Sequence, residues 1–336
     1  MPDSALPLPD PADVVIVGGG PAGLSAAIAL GRSRRTVTVI DAGEPRNAPA
    51  AHAHNVFSRD GASPRELIAD ARTQAQGYGV RLLDDSAVHV ECDGDGLFAV
   101  ETAAGSTARG RRLLLASGLR DVLPDIPGLA AHWGDSVVHC PYCHGWEVRE
   151  RAIVVIGTTP RSAHQALMFS RLSDDVVFVR HDTPADAEAD ADLAALGVRI
   201  VDGRAARVLD DASGALRAVV LDDGSELPAG AVAIGPSFEA RTELYEQLGG
   251  TPAVVAGMGV VIPADAVGRT PVDGVWAVGN ASDATAMVGA SAAAGTMAGT
   301  QLNVDLLMEE AAARRAGVRS RPRQGPTSRP RSRPLA

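Results

Sequence analysis

Asp13-Val14-Val15-Ile16-Val17-Gly18-Gly19-Gly20-Pro21-Ala22-Gly23 is the stretch from which the fold is read. Residues 13–17 form a short, β-branched apolar run, the pattern of a strand buried on both faces of a parallel sheet. Gly18, Gly20 and Gly23 follow at Gly-x-Gly-x-x-Gly spacing, and small residues from Leu24 to Leu30 suit close helix packing. Gly18 permits the tight turn, Gly20 lets a pyrophosphate approach the backbone, and Gly23 lets the helix pack on the strand. Phosphates held by such a loop sit at the helix N-terminus, where free N–H groups and the dipole favour anions. Residues 36–40 read as the next strand, and Asp41 closes it where a ribose hydroxyl needs an acceptor. The loop alone does not separate a flavin from a nicotinamide. Gly279 and Asp283, after a late strand at 275–278, favour FAD, because an acid there can hold the ribityl or pyrophosphate region from a second side.

Outward from this βαβ unit, residues 63–78 read as a helix. Ser63 stands at the N-cap, Pro64 at the first helical position and Glu66 three residues after the cap. Residues 80–100 read as short strands broken by Asp-Gly turns, and 112–116 as an apolar run ending at Ser117-Gly118. A Pro-rich connection at 123–127 marks a boundary. Residues 152–156, a helix over 162–172 and a strand over 176–180 then repeat the opening pattern. A helix of small residues is expected from about 289 to 307. The implied fold is α/β, with two Rossmann-like, three-layer ββα dinucleotide-binding domains, the second inserted in the first. The expected FAD-binding domain is 1–120 and 240–313, the expected NAD(P)-binding-like domain carrying the cysteine pair is 121–239, and 314–336 is an expected disordered basic tail.

The chain has 336 residues, 46% of them apolar but only 3% aromatic, so Ala, Val and Leu must build its cores. All 31 basic residues are Arg, and the net charge is −10. Eight Arg and no acid lie in 314–336, so the remainder carries −18, which argues against nucleic acid as a partner. The tail, rich in Arg, Pro and Ser, reads as a solvated extension, with a binding arm as the other reading. The N-terminus lacks the basic start and apolar run of a signal peptide, and no stretch reads as a membrane helix. The cytoplasm is the expected compartment, and there a Cys-x-x-Cys pair is usually catalytic or metal-binding.

In the second unit the fingerprint positions are Gly157, Thr159 and Ser162, so two glycines are missing. Thr159 adds a Cβ where a pyrophosphate comes close, and Pro160 removes a backbone donor. Arg180 stands alone where a 2′-phosphate would need a cluster of Arg, and Asp186, Glu188, Asp190 and Asp192 would repel it. A retained fold with a decayed nicotinamide site is the better reading.

Between the two units lies His139-Cys140-Pro141-Tyr142-Cys143-His144, holding two of only three cysteines. The thiolate is the reactive form, and a Cys-x-x-Cys at a helix start lowers a Cys pKa. Pro141 restricts the turn, and His144 can take a thiol proton near neutral pH. Zinc would need further ligands, since Cys92 is the third and last thiol and adjacent Cys143 and His144 would strain to share an ion. A glutaredoxin-like domain would begin just before the pair, whereas here a βαβ unit begins just after it. A structural bridge is the remaining alternative. Cys92 is expected to be buried, Trp146 to pack, and Tyr142 to pack or to line a pocket.

Over roughly 13–310 the chain resembles the low-molecular-weight thioredoxin reductase family. The order of parts carries the likeness: the first fingerprint, Ala116-Ser117-Gly118, the Cys pair before a second Rossmann loop, and Gly-x-x-x-Asp at 279–283. That family has Asp after the second Cys, where this chain has His144. Cys140-Pro-Tyr-Cys-His-Gly-Trp-Glu147 and Met287-Val-Gly-Ala-Ser291 resemble the dithiol oxidase branch, whose members close the disulfide of natural products of the holomycin and gliotoxin type. The resemblance implies FAD, a homodimer, a small-molecule dithiol substrate, and electrons passing through Cys140–Cys143 and FAD to O2, giving H2O2. It implies Cys143 facing the flavin, Cys140 facing substrate and His144 as base. It also implies Gly18, Gly20, Pro21, Ala22, Gly23, Asp41, His54, Asn55, Ala116, Gly118, Gly279, Asp283, Gly289 and Ala290 around FAD, and no metal. The alternative is a NAD(P)H-dependent, thioredoxin reductase-like disulfide reductase using the same cysteines in reverse.

Overall fold

The computed structural model describes residues 11–317. Ala12–Val17 lies between Val37–Asp41 and Thr107–Leu115, parallel to both, with Ile16 opposite Val39 and Leu114. Val14, Val15 and Ile16 are wholly buried, as a strand covered on both faces requires. Arg81–Asp84 extends the sheet on one side, and the antiparallel strands Phe98–Thr102 and Ala87–Cys92 extend it on the other. Val275–Ala277 returns from far along the chain to pair with Thr107–Leu115, Trp276 opposite Leu114.

Pro21–Arg32 follows the first strand, and Val288–Arg315 packs across it. Small residues let the two helices touch. A Cβ at Gly295 would stand 2.0 Å from Ala22 O, and one at Gly299 would stand 2.8 Å from Ala26 O. The second sheet is all parallel, in the order Arg199–Val201, Val176–Val179, Ile153–Ile156, Ala231–Ile234, Val137–Val138. Helices Ser162–Phe169 and Ala187–Ala195 belong to this unit. The fold is therefore the expected α/β arrangement of two Rossmann-like units. Leu119–Val122 and Ser237–Ala240, where the chain leaves and regains the first unit, pair antiparallel with Phe238 opposite Asp121. This pairing puts Phe238 and Asp121 at the junction where the site lies.

Several local expectations change. Ser63 caps Pro64–Gly77 by position, but its side chain makes no capping hydrogen bond, so the capping box does not form. The helix from Ser162 stops at Phe169, short of 172. The last helix runs to Arg315, past 307, because tertiary ion pairs hold its final turns. Buried Arg35 binds Glu310 at 2.5 Å, and Arg112 binds Asp305 at 2.7 Å and Glu309 at 2.6 Å. Arg314 and Arg315 are thus helical rather than part of a tail, and the rest of that expectation, 318–336, lies outside the described residues. Cys92 is exposed, not buried, since it ends an edge strand in which Val90 alone is fully covered.

Candidate active site

The first glycine loop is shaped by contacts that exclude any side chain. Gly18 has φ +102°, and a Cβ there would stand 2.2 Å from Ala116 O. A Cβ at Gly23 would stand 1.9 Å from Gly18 O, so the helix seats directly on the turn. Gly19 N donates to Asp41 Oδ1 at 2.9 Å, and Arg72 Nη1 donates to Asp41 Oδ2 at 3.0 Å. The position of Asp41 is therefore set from both sides, and its unused lone pairs remain for a hydroxyl. Gly20 is different, because a Cβ there would meet nothing within 4 Å. No side chain caps Pro21–Arg32 at Gly20, so the first-turn N–H groups are left for a ligand. A cavity of about 1470 Å³ begins here, with Gly18, Gly20, Pro21, Ala22, Asp41, Ala116 and Gly118 in its wall.

The same cavity reaches Cys140, Cys143 and His144. Cys140 and Cys143 are joined as a disulfide with Cα atoms 5.2 Å apart. Cys140 caps the single helical turn Pro141–His144, and its carbonyl accepts from Cys143 N at 3.1 Å and His144 N at 3.0 Å. Burial pushes the His144 imidazole below its ordinary range. Glu147 opposes the shift, and nearby His54 reinforces it. His144 is thus neutral at neutral pH and able to accept a proton. Trp146 does not pack as expected. It is 65% exposed, with the Arg149 guanidinium 4.0 Å above its ring, and Tyr142 is 66% exposed.

The structure separates the remaining expected flavin residues. His54 lines the cavity, with Nδ1 3.3 Å from Asp60 and Nε2 3.2 Å from Glu147, the latter a close contact without hydrogen-bond geometry. Asn55 turns away at φ +57° and its amide donates to Tyr142 O at 2.6 Å, so it grips the cysteine turn. Gly23, Asn55, Gly279, Asp283, Gly289 and Ala290 are not in the cavity wall. Gly279 lies beneath it against Ala22, and the Asp283 carboxylate accepts from Thr285 N and Oγ1 at 2.9 and 2.7 Å. Their neighbours Asn280, Met287 and Ser291 line the wall instead.

Arg46 and Glu147 join the site without a role assigned from their sequence context. Arg46 binds Asp121 through two nitrogens, at 2.8 and 2.5 Å, reaches Asn280 at 3.1 Å and stacks over Phe238. Its partners lie 75 and 234 residues away, so no local signal marks it. Glu147 lies three residues after His144, in the turn beyond the short helix, and meets His54 at 3.2 Å.

The second glycine loop closes on itself. Ser162 Oγ accepts from Thr158 N at 3.2 Å and Thr159 N at 3.1 Å, and Thr159 Oγ1 accepts from Arg161 N at 3.3 Å. Arg180 is held by Asp190 at 2.6 Å and Asp202 at 2.8 Å. Among the described residues no group of three or more His, Cys, Asp or Glu side chains could hold a metal ion.

Residues 12–300 match the family described as Pyridine nucleotide-disulphide oxidoreductase. The chain is similar to the thioredoxin reductase tcpT of Claviceps purpurea (strain 20.1), with 35% identity covering 70% of this chain and 77% of that one. It is 41% identical to the thioredoxin reductase sirT of Leptosphaeria maculans, over 41% of this chain and 43% of that one. Among solved structures it resembles HlmI, with TM-score 0.86 and 37% identity over 92% of this chain and 96% of that one. It also resembles an oxidoreductase from Agrobacterium tumefaciens, with TM-score 0.83 and 35% identity over 89% and 99%. The open glycine loop, the disulfide and the neutral histidine thus sit in a chain that belongs to the pyridine nucleotide-disulphide oxidoreductases, a typically flavin-dependent family, within its thioredoxin reductase-like group.

Proposed function

We propose that this protein is an FAD-dependent dithiol oxidase that closes an intramolecular disulfide in a small-molecule, natural-product dithiol. One observation carries the reading. The disulfide and neutral His144 share a cavity with the open first loop, while in the second loop, whose Thr159 and Arg161 also border that cavity, Thr158 N, Thr159 N and Arg161 N are taken by side chains. The residues present fit FAD, with Gly20 and the uncapped helix start for its pyrophosphate and Asp41 for its ribose. Bound there, FAD would take the electron pair from the reduced cysteines and hand it to O2 as H2O2.

The chain's own residues do the exchange. Substrate thiolate attacks Cys140, and a second substrate thiol resolves the mixed disulfide, releasing the cyclic product and both cysteine sulfurs. His144 holds a thiol proton beside Cys143, and Asn55 keeps the turn in place through Tyr142 O. We further propose the two-domain division described above, and a homodimer, for which exposed Met297, Val304, Leu307 and Met308 on the last helix speak. Sedimentation at several concentrations tests the dimer. No helix among the described residues is long and apolar enough to cross a membrane, and we place the protein in the cytoplasm.

The test is peroxide release on adding dithiothreitol to the flavin-loaded enzyme. Cys140→Ser and Cys143→Ser each abolish it and leave the flavin bound. Retained oxidase activity in either variant sinks the scheme. A second reading, a NAD(P)H-dependent disulfide reductase, is favoured by the name thioredoxin reductase given to the fungal relatives. Flavin bleaching by NADPH without oxygen would establish it.

A further inference from the structure

His139 precedes the pair as His144 follows it, and the exchange described so far leaves it idle. Its ring is held from three elements. Nδ1 donates to Ile234 O at 3.0 Å and the ring meets Phe238 edge-on at 5.1 Å, while Gln165 Nε2, 3.5 Å from Nδ1, spends its two hydrogens on the closer His139 O at 2.6 Å and Ile234 O at 3.2 Å. A carbonyl can only accept, so the hydrogen of the neutral ring must lie on Nδ1, and Nε2 keeps its lone pair. Nε2 has no partner among the described residues and is not sealed from solvent, and His139 lines the same cavity as Cys140. The charged groups around the ring are Arg46 and Arg161, which oppose its protonation, and Asp121, which favours it but is bound to Arg46. Burial is the largest influence and pushes the imidazole below its ordinary range. The ring is thus a neutral acceptor with a fixed tautomer.

Closing a dithiol sheds two protons, and one histidine can hold one of them. We propose, on the dithiol oxidase reading above, that His139 is a second catalytic base, taking the proton of the substrate thiol that attacks Cys140. The thiol proton passes to His139 Nε2, and the sulfur forms a bond to Cys140. The Cys140–Cys143 bond breaks, and its electron pair leaves on Cys143 beside His144. The second substrate thiol then gives its proton to His144 and attacks the first substrate sulfur. Cys140 leaves with the electron pair and takes the substrate-derived proton held by His139. The substrate loses two electrons and two protons, and the cysteines and His144 hold both.

The experiment follows opening of the disulfide by dithiothreitol in the flavin-loaded enzyme without oxygen. Flavin bleaching is one readout. Acid quench with alkylation and mass measurement of freed Cys140 and Cys143 is a second, independent of the flavin. His139→Phe keeps a ring against Phe238, and His139→Gln keeps a polar side chain. Both variants should react about 10²–10⁴-fold more slowly. The acid limb of the wild-type profile should fall with two protons, and that of each variant with one. If wild type does not react at all, the oxidase reading itself fails. If wild type reacts and both variants stay within about threefold of it, with the two-proton limb intact, the role of His139 is overturned. Nitrogen NMR of histidine-labelled wild type covers the case of misfolded variants. A neutral Nδ1–H ring at neutral pH is expected, and a protonated or Nε2–H ring overturns the proposal.

Discussion

At Gly18–Gly23 the loop leaves most of its donors open, and at Gly157–Ser162 the loop donors are taken by the protein's own side chains, although neither following helix has a side-chain cap. Both loops join a buried parallel strand to a helix, and both use a glycine where no Cβ fits, since one at Gly157 would stand 2.3 Å from Arg180 O. They differ in what happens to the backbone donors. In the first loop the one donor with a side-chain partner is Gly19 N, bound to Asp41, and that bond positions the acid. In the second, Ser162 Oγ and Thr159 Oγ1 take three consecutive donor positions around Pro160. A phosphate entering there must displace bonds worth about 1 kcal/mol each and then face Arg180 already held by two carboxylates. The two loops differ in how their backbone donors are satisfied while sharing one strand–turn–helix geometry, because side-chain hydrogen bonds inside the second loop stabilise it without a ligand.

The largest test asks where electrons enter. With the flavin-loaded enzyme and no oxygen, dithiothreitol should bleach the flavin at least about 10⁴-fold faster than equal NADPH, a barrier difference of about 5 kcal/mol. Comparable rates would break the comparison. His144→Ala should slow the dithiol reaction by about 10²–10⁴-fold if the neutral imidazole is a base. Only neutral His144 accepts a proton and burial lowers its pKa, so wild-type activity should hold through neutral pH and fall on acidification below the ordinary His range. His144→Ala should make that acid limb shallower, and an unchanged limb argues against the assignment. Gly20→Ala should weaken flavin binding by about 100-fold, or about 2.7 kcal/mol. Its flavin-free melting should match wild type, because the added Cβ meets nothing in the protein. Full flavin retention on gel filtration would show that the pyrophosphate does not approach Gly20. The smallest effect is on the second loop. Ser162→Ala should cost about 1–2 kcal/mol of stability in thermal unfolding and leave dithiol turnover unchanged. A matching loss of turnover would mean that the second loop takes part in the reaction.

Much of this was legible in the chain. Gly18, Gly20, Gly23 and Asp41 announce the first unit because strand, loop, helix and acid lie within 30 residues. Cys140, Cys143 and His144 are likewise contiguous. The flanking assignments were harder. Asn55, expected at the flavin, has its amide on Tyr142 O from 87 residues away, and the Asp283 carboxylate is on Thr285, partners that no local pattern marks. Cys92 read as core because its strand has the right composition, yet only its place at a sheet edge decides exposure.

The sequence by itself determined the two βαβ units, the close cysteine pair and the histidines beside it, because periodicity, glycine spacing and adjacent side chains are properties of a few neighbouring residues. Tertiary structure alone decided which loop keeps its donors free, which face of His139 carries the lone pair and what holds the cysteine turn. The last two depend on Ile234 and Asn55 meeting groups 95 and 87 residues away that the chain brings close only by folding, whereas the second loop is closed by Ser162 from three and four residues away, once the turn has formed.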